Sequence, residues 1–202
     1  MRQLEPGQVV GVGGDFARVF DPEDYLVMIN AVDEATVILR AHLVLEEFLN
    51  IWARRITSTE DLFDGGFIPF KTKLFICKNL GLASAFVGVF DQVNTIRNRY
   101  SHRRKYILEE SRLLSLRDAV NALPSQQPLA PCEKFEIHLG GEDASGGRQQ
   151  ITHNWATADT KKRLALIQVI LVLKIVQWMQ QEFNARGIKY NLVVWPADTP
   201  RL

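Results

Sequence analysis

The feature that most constrains this chain is an almost continuous apolar stretch near its C-terminus, residues 164–179. The stretch lies within a predicted helix over residues 157–186, with Asp159 or Thr157 available as N-cap and a glycine following the last turn. It is too short to span a bilayer comfortably and is interrupted by Gln168 and Lys174. A helix that is apolar on most sides has to be covered by other elements, so the sequence predicts a core helix.

The N-terminal half predicts a second long helix, over residues 21–55. Asp21 is a suitable N-cap, and Pro22 occupies the first helical position. The apolar residues of this segment form two stripes on roughly opposite sides of the helix. Both stripes require cover, either from the same bundle or from another subunit, and this pattern hints at a dimer.

Shorter elements complete the prediction of an all-α bundle with one β-hairpin. Glycine, proline and apolar spacing delimit these helices and strands. The predicted helices span residues 70–80, 84–104 and 109–123. A strand over 134–139, a glycine-rich loop over 140–147 and a returning strand over 151–155 make a hairpin before the last helix.

Length and composition favour one domain. The chain has 202 residues, of which 47% are hydrophobic, enough for one sizeable core. We expect an N-terminal extension over residues 1–20, a single helical domain over 21–190 with 125–158 as an insertion, and a C-terminal tail over 191–202. The first twenty residues lack a charged and then apolar leader pattern, so we do not expect a secretory signal.

Charge and cysteine content narrow the possible functions. The net charge of +1 excludes the whole molecule as a general electrostatic binder of nucleic acid, but residues 97–105 include five cations. Cys77 and Cys132 are too few for a zinc site or a disulfide framework. A reducing, cytoplasmic setting with no membrane attachment is the simplest expectation.

No metal or other cofactor is expected. The hairpin region contains His138, Glu142, Asp143 and His153, but their spacing is not that of a compact ligand set. Solvation of a loop is the simpler role for the two acids.

The predicted helix over 84–104 ends in the most distinctive segment of the chain, residues 96–106. Its apolar residues recur at intervals of three and four and form one face that packs on a core. Asn98 and His102 fall in a polar stripe opposite that face. We therefore expect His102 to point toward solvent or a partner.

Arginine and histidine together suit metal-independent RNA cleavage. A histidine titrates near neutrality, so His102 can act as general acid or base on the ribose 2′-hydroxyl or the leaving oxygen. Arg97 can stabilise the charge that builds on the phosphoryl oxygens. The two residues lie about 140° apart around a straight helix, so they converge only if the helix ends early, the arginine reaches round, or a second copy completes the site.

The segment resembles the Arg-x4-His motif of HEPN (higher eukaryotes and prokaryotes nucleotide-binding) domains. The common form, Arg-Asn-x-x-x-His, is matched by Arg97, Asn98 and His102. The resemblance implies an all-helical bundle, a catalytic role for those three residues, and a homodimer with the active site at its interface. "IRNRYSH" also resembles a segment of the mannitol operon repressor branch, whose members are regulators.

Three functions follow as alternatives, of which the third is nucleotide binding without turnover, suggested by the name of the HEPN superfamily and by the cations. In the first, the chain is an endoribonuclease related to toxins or defence, with an antitoxin as possible partner. In the second, it is a non-catalytic regulator or adaptor that binds a protein partner. For the first function, Glu46 and Glu47 are candidates to orient Arg97, although a solvated helix face is the simpler role for them. The candidate RNA-binding residues follow the motif or lie within it: Arg99, Arg103, Arg104, Lys105 and Tyr106.

Overall fold

The computed structural model describes residues 11–103, 105–142 and 148–194, and describes side chains for residues 13–103, 105–140 and 150–192. The predicted all-α fold with a small hairpin before the last long helix is confirmed. The helices are α1 (Pro22–Ile29), α2 (Glu34–Thr57), α3 (Phe70–Asn79), α4 (Ser84–His102), α5 (Glu110–Asn121) and α6 (Thr160–Ala185). The strands are β1 (Gly11–Val12), β2 (Glu136–Glu142), β3 (Arg148–Asn154) and β4 (Val193–Val194).

Helix α6 lies in the core, as its apolar sequence predicts. It packs against α1, α2 and α5, and most of its side chains are buried. Trp178 of α6 meets Trp52 of α2 and Phe86 of α4, with ring centroids 4.8 and 5.3 Å apart. Among the described residues α6 alone is long and apolar enough to cross a membrane, but 72% of its apolar window is buried inside the bundle. The apolar surface of α6 is therefore mostly covered by the other helices of this fold.

The prediction of a single helix over residues 21–55 is wrong, because the chain turns between α1 and α2. The Asp33 side chain accepts a hydrogen bond from the Thr36 amide at 2.7 Å and starts a new helix there. An ion pair of 2.9 Å between Arg40 and Asp24 holds α1 along α2. The break places the start of α2 beside the end of α4, where the Leu108 amide bonds the Glu34 carboxylate at 3.3 Å.

The described parts of the predicted extension and tail belong to the same core. Residues 14–20 form a 3-10 helix that buries Phe16 and Val19 completely. Strand β1 pairs antiparallel with β4, which brings the two ends of the described chain together. Gly14 adopts a φ of +63°, and a Cβ there would lie 2.5 Å from the carbonyl oxygen of Asn191, so only glycine fits this close approach.

The predicted hairpin forms from β2 and β3. The two strands pair antiparallel from Glu136 opposite Asn154 to Glu142 opposite Arg148. Both strands extend closer to the turn than the sequence indicates. Strand β3 packs on α6, so the hairpin covers one side of the core helix.

Candidate functional site

Helix α4 carries the Arg-x4-His segment and ends at it. Phe86, Phe90 and Val93 are buried in the core on the side that α4 turns toward the bundle. The helix ends at His102, and the Arg103 amide bonds the Arg99 carbonyl oxygen at 3.0 Å. The chain then leaves in an extended conformation. The motif therefore occupies the last two turns of a helix that is anchored by its apolar face.

Arg97 lies half-buried beside α2. Its Nη1 donates to the Asn98 side-chain oxygen at 3.1 Å, while its Nε is buried without a hydrogen-bond partner among the described residues. Close by, His42 is buried and lies 3.3 Å from the Asn94 side-chain oxygen. Burial lowers the pKa of His42, the bond to Asn94 opposes that shift, and the positive charge of Arg97 adds to it. Arg97 is therefore partly buried at the border of the bundle, near the buried imidazole of His42.

Two arginines, Arg97 and Arg103, have no carboxylate partner among the side chains that the structure describes. Of the arginine side chains that the structure describes, these two alone form no ion pair with a described acid. The others each form at least one: Arg18, Arg40, Arg54, Arg55, Arg99, Arg112, Arg117, Arg163 and Arg186. A guanidinium without a carboxylate partner is free to bind an added anion such as phosphate.

His102 is the last residue of α4 and is exposed. Its imidazole forms no hydrogen bond to any residue in the described part of the chain. It lies about 140° around the helix from Arg97, which faces α2. A single chain thus presents the two side chains on different sides of α4 and does not bring them together on one small group.

Glu46 and Glu47 bind other cations. Glu46 pairs with Lys73 of α3 at 2.8 Å, and Glu47 lies 3.9 Å from Arg18. Within the described residues neither carboxylate pairs with Arg97, so the predicted orienting ion pair is absent. The reason is packing, because α3 and the 3-10 helix place their own cations beside these acids.

Two of the predicted RNA-binding residues instead join α4 to α5. Arg99 lies 3.7 Å from the Glu109 carboxylate, and the Tyr106 hydroxyl donates to the same carboxylate at 2.8 Å. The Arg99 guanidinium also lies over the Tyr106 ring, 5.9 Å from its centroid. Burial and the bond to Glu109 raise the pKa of Tyr106. Arg99 and Tyr106 are therefore held by Glu109 and are not free.

The remaining predicted cations lie beyond the end of α4. Arg103 and Lys105 are exposed, and Arg104 lies outside the described residues. Arg103 lines a pocket of about 550 Å³ at the start of α2 and α6. Tyr100 closes the inner side of this region, packs edge-on against Tyr106 with centroids 4.8 Å apart, and donates a hydrogen bond to Glu34.

The sequence reasoning missed several groups near the motif. Asn94 is a buried amide three residues before Arg97, on the side that meets His42. An asparagine near the apolar face of a predicted helix is a signal that could have identified it. Asp33 and Lys161 line the same pocket as Tyr100 and Arg103, because the starts of α2 and α6, distant in sequence, meet there.

Comparison with known proteins gives no relative. No family model, no curated protein and no solved structure matches the chain. Within the part of the chain that the structure describes, no group of three or more His, Cys, Asp or Glu side chains could hold a metal ion. Asp143, one of the acids considered for a metal site, lies outside the described residues.

Proposed function

We propose that this protein is a metal-independent endoribonuclease of the HEPN type that acts as a homodimer. One observation carries the proposal: the exposed His102 ends α4 and lies in the sequence between Arg97 and Arg103, two arginines that have no carboxylate partner among the described residues. Phosphoryl transfer from a ribose hydroxyl requires an imidazole to move protons and guanidiniums to stabilise the charge on the phosphoryl oxygens.

The proposed reaction is transesterification within the RNA strand. The ribose 2′-oxygen loses its proton and attacks the adjacent phosphorus, the bond from phosphorus to the 5′-oxygen of the next nucleotide breaks, and that oxygen takes up a proton. The products end in a 2′,3′-cyclic phosphate and a 5′-hydroxyl. His102 transfers protons, and Arg97 binds the phosphoryl oxygens as negative charge builds on them.

The proposed dimer resolves the separation of the two groups. Arg97 and His102 occupy different sides of α4, and a twofold axis would bring the same patch of each copy together. Leu39 and Leu43 lie one turn apart on α2 and are 45% and 50% exposed. These leucines offer an apolar contact to a second copy. Asn98, bound to Arg97 in one chain, would face the shared cleft and hold either the imidazole or the ribose.

Binding of the RNA strand is assigned to the cations after the motif. Arg103 and Lys105 are exposed, and Arg104 follows Arg103 directly in sequence. Contacts of this kind to phosphate give affinity without sequence preference. On this proposal the protein is cytoplasmic and belongs to the toxin or defence type. A partner such as an antitoxin restrains its activity.

A second candidate function is supported by the bond between Arg97 and Asn98. This bond, at 3.1 Å, braces the last turns of α4 and gives both residues a structural role that needs no RNA. The ties of Arg99 and Tyr106 to Glu109 act in the same way. On this alternative the protein is a regulator of the mannitol operon repressor type that uses its surface to bind a protein partner.

Cleavage of RNA in EDTA by matched variants tests the proposal. A mixed pool of structured and single-stranded RNA is incubated with wild type, His102→Ala, Arg97→Ala and His138→Ala. His138 is an exposed hairpin residue bonded to Thr152, so its variant controls for loss of an imidazole elsewhere. We expect cleavage by wild type and His138→Ala, and a loss of about 100-fold or more in the other two. Cleavage that persists in His102→Ala would overturn the proposal, and absence of cleavage by wild type would favour the regulator.

A further inference from the structure

A pocket of about 550 Å³ opens beside the motif helix. It lies where the start of α2, the start of α6 and the connector after α4 meet, and Arg103 and Ile107 line it from that connector. Its volume lies within the range of roughly 300–1,000 Å³ that is usual for small-molecule sites. Arg103 directly follows His102 in sequence. The main chain that carries the proposed reacting group therefore borders the pocket.

Two exposed aliphatic side chains line the pocket. Val32 is 91% exposed and Ile107 is 76% exposed. Single exposed apolar residues are common on protein surfaces, but these two belong to one concave site. An aliphatic lining of this kind suits the face of a flat, weakly polar ring.

The polar lining combines carboxylates with an ammonium. The Asp33 Oδ1 accepts from the Thr36 amide at 2.7 Å at the start of α2. The Asp159 Oδ1 accepts from the Lys162 amide at 2.9 Å. The Lys161 Nζ lies 3.8 Å from the Asp159 Oδ2 and donates to the Val32 carbonyl oxygen at 3.3 Å.

These contacts disfavour a phosphate beside Asp33 and Asp159. The two carboxylates already satisfy the helix amides that would bind an anion, and they repel negative charge. Hydrogen bonds from the amide and the side chain of Thr36 lower the pKa of Asp33. A ligand must therefore present hydrogen-bond donors to the carboxylates and acceptors to Lys161, with any phosphate placed toward Arg103.

Guanine is the RNA base that offers both adjacent hydrogen-bond donors and adjacent acceptors. Its N1 and N2 carry adjacent donors, and its O6 and N7 are adjacent acceptors of the kind that lysine and arginine recognise. Adenine and cytosine offer a single amino group beside acceptors, and uracil offers one N–H between two carbonyls. We propose that this pocket binds the guanine of the nucleotide whose 3′-phosphate His102 and Arg97 act on. The inference rests on the proposed function and adds to it cleavage after guanosine.

Nucleotide binding tests the pocket without any cleavage step. Guanosine 3′-monophosphate, inosine 3′-monophosphate and adenosine 3′-monophosphate are titrated into the full-length protein and followed by NMR. Inosine differs from guanosine only in lacking the 2-amino group. We expect the guanosine nucleotide to bind about tenfold more tightly than inosine, the effect of one hydrogen bond to a charged group, and adenosine to bind more weakly than guanosine.

A matched pair of variants locates the binding. Asp33→Asn keeps a side chain that caps α2 equally well but removes the charge, and Asp21→Asn makes the same change at the cap of α1, outside the pocket. We expect Asp33→Asn to weaken guanosine 3′-monophosphate about tenfold and Asp21→Asn to leave it unchanged.

The two proposals fail in different ways. Equal binding of the three nucleotides, or unchanged binding in Asp33→Asn, would overturn the guanine pocket. RNA cleavage without preference for guanosine would also overturn it while leaving the nuclease intact. Selective guanosine binding by a protein that does not cleave RNA would support the pocket and count against the nuclease alone.

Discussion

At the scale of single residues, Arg97 stands out because it is half-buried and has no carboxylate partner among the described residues. Its guanidinium is half-buried, forms its one hydrogen bond to a described residue with the Asn98 side chain, and lies near the buried His42. A buried cation normally has a carboxylate partner because desolvation is costly. The missing partner is the physical reason for expecting an anionic ligand here.

The position of Arg97 predicts a change in a neighbour's titration. Because its positive charge contributes to lowering the pKa of His42, Arg97→Met removes a repulsion of the protonated imidazole and should raise that pKa. NMR titration of the imidazole signals measures the shift. Arg103→Met, which removes a cation beyond the end of α4, serves as control and should leave His42 unchanged. An unshifted His42 in Arg97→Met would show that the guanidinium points away from α2.

At the scale of elements, a buried lysine joins α6 to α5. The Lys174 Nζ donates to the carbonyl oxygens of Val120, Asn121 and Leu123 at 3.0, 2.8 and 2.9 Å. These groups lie at the end of α5, where helical carbonyls lack partners within the helix. The lysine that interrupts the apolar sequence of α6 therefore caps another helix.

Removal of this cap should destabilise the fold. Lys174→Met keeps most of the side-chain volume but removes a charged donor from three carbonyl groups, of which Val120 retains a bond from the Leu123 amide. We therefore expect the free energy of unfolding to fall by about 2–4 kcal/mol. Urea denaturation followed by circular dichroism measures it. Lys78→Met, at an exposed position of α3, should change stability by no more than about 0.5 kcal/mol. Equal stabilities of the two variants would contradict the capping role.

The sequence predicts elements with strong local signals and misses those that depend on distant partners. Helices α3, α4 and α6 follow from apolar spacing and from the glycines or chain turns that end them. The break before Asp33 has no proline or glycine to mark it, and it depends on a side-chain cap and on the packing of α1 along α2. The pairing of β1 with β4 joins the two ends of the chain, which local pattern cannot show.

The same distinction applies to the candidate site. Spacing places Asn98 and His102 on the polar side of α4, and the structure leaves His102 exposed there. The partners of Glu46, Glu47 and Arg99 could not be predicted, because they depend on how α3, the 3-10 helix and α5 pack. A long charged side chain can reach several oppositely charged neighbours, and its partner depends on how the helices pack.

At the scale of the whole molecule, the proposed site needs two copies. One chain turns Arg97 toward α2 and His102 toward solvent, and it leaves Leu39 and Leu43 half exposed on α2. Burial of these leucines against a second copy would contribute favourably at about 25 cal/mol per Å² of apolar surface.

A charge at this surface should dissociate the dimer. Because Leu43 is 50% exposed, Leu43→Glu is compatible with the fold of one chain, but it would place a carboxylate in the proposed interface. Sedimentation velocity should show a dimer for wild type and a monomer for Leu43→Glu, with RNA cleavage lost in the monomer. Ile151→Glu, at a residue of β3 that is 55% exposed, is the control and should remain dimeric. A monomeric wild type that cleaves RNA would refute the shared site.

The ends of the RNA fragments test the account most directly. Wild type and His102→Ala are incubated with one defined RNA in EDTA, and the product termini are identified by mass spectrometry. The account predicts 2′,3′-cyclic phosphate and 5′-hydroxyl ends from wild type and none from His102→Ala, because His102 moves the proton of the attacking hydroxyl or of the leaving oxygen. Fragments with 3′-hydroxyl and 5′-phosphate ends, or the same cyclic ends from His102→Ala, would contradict it.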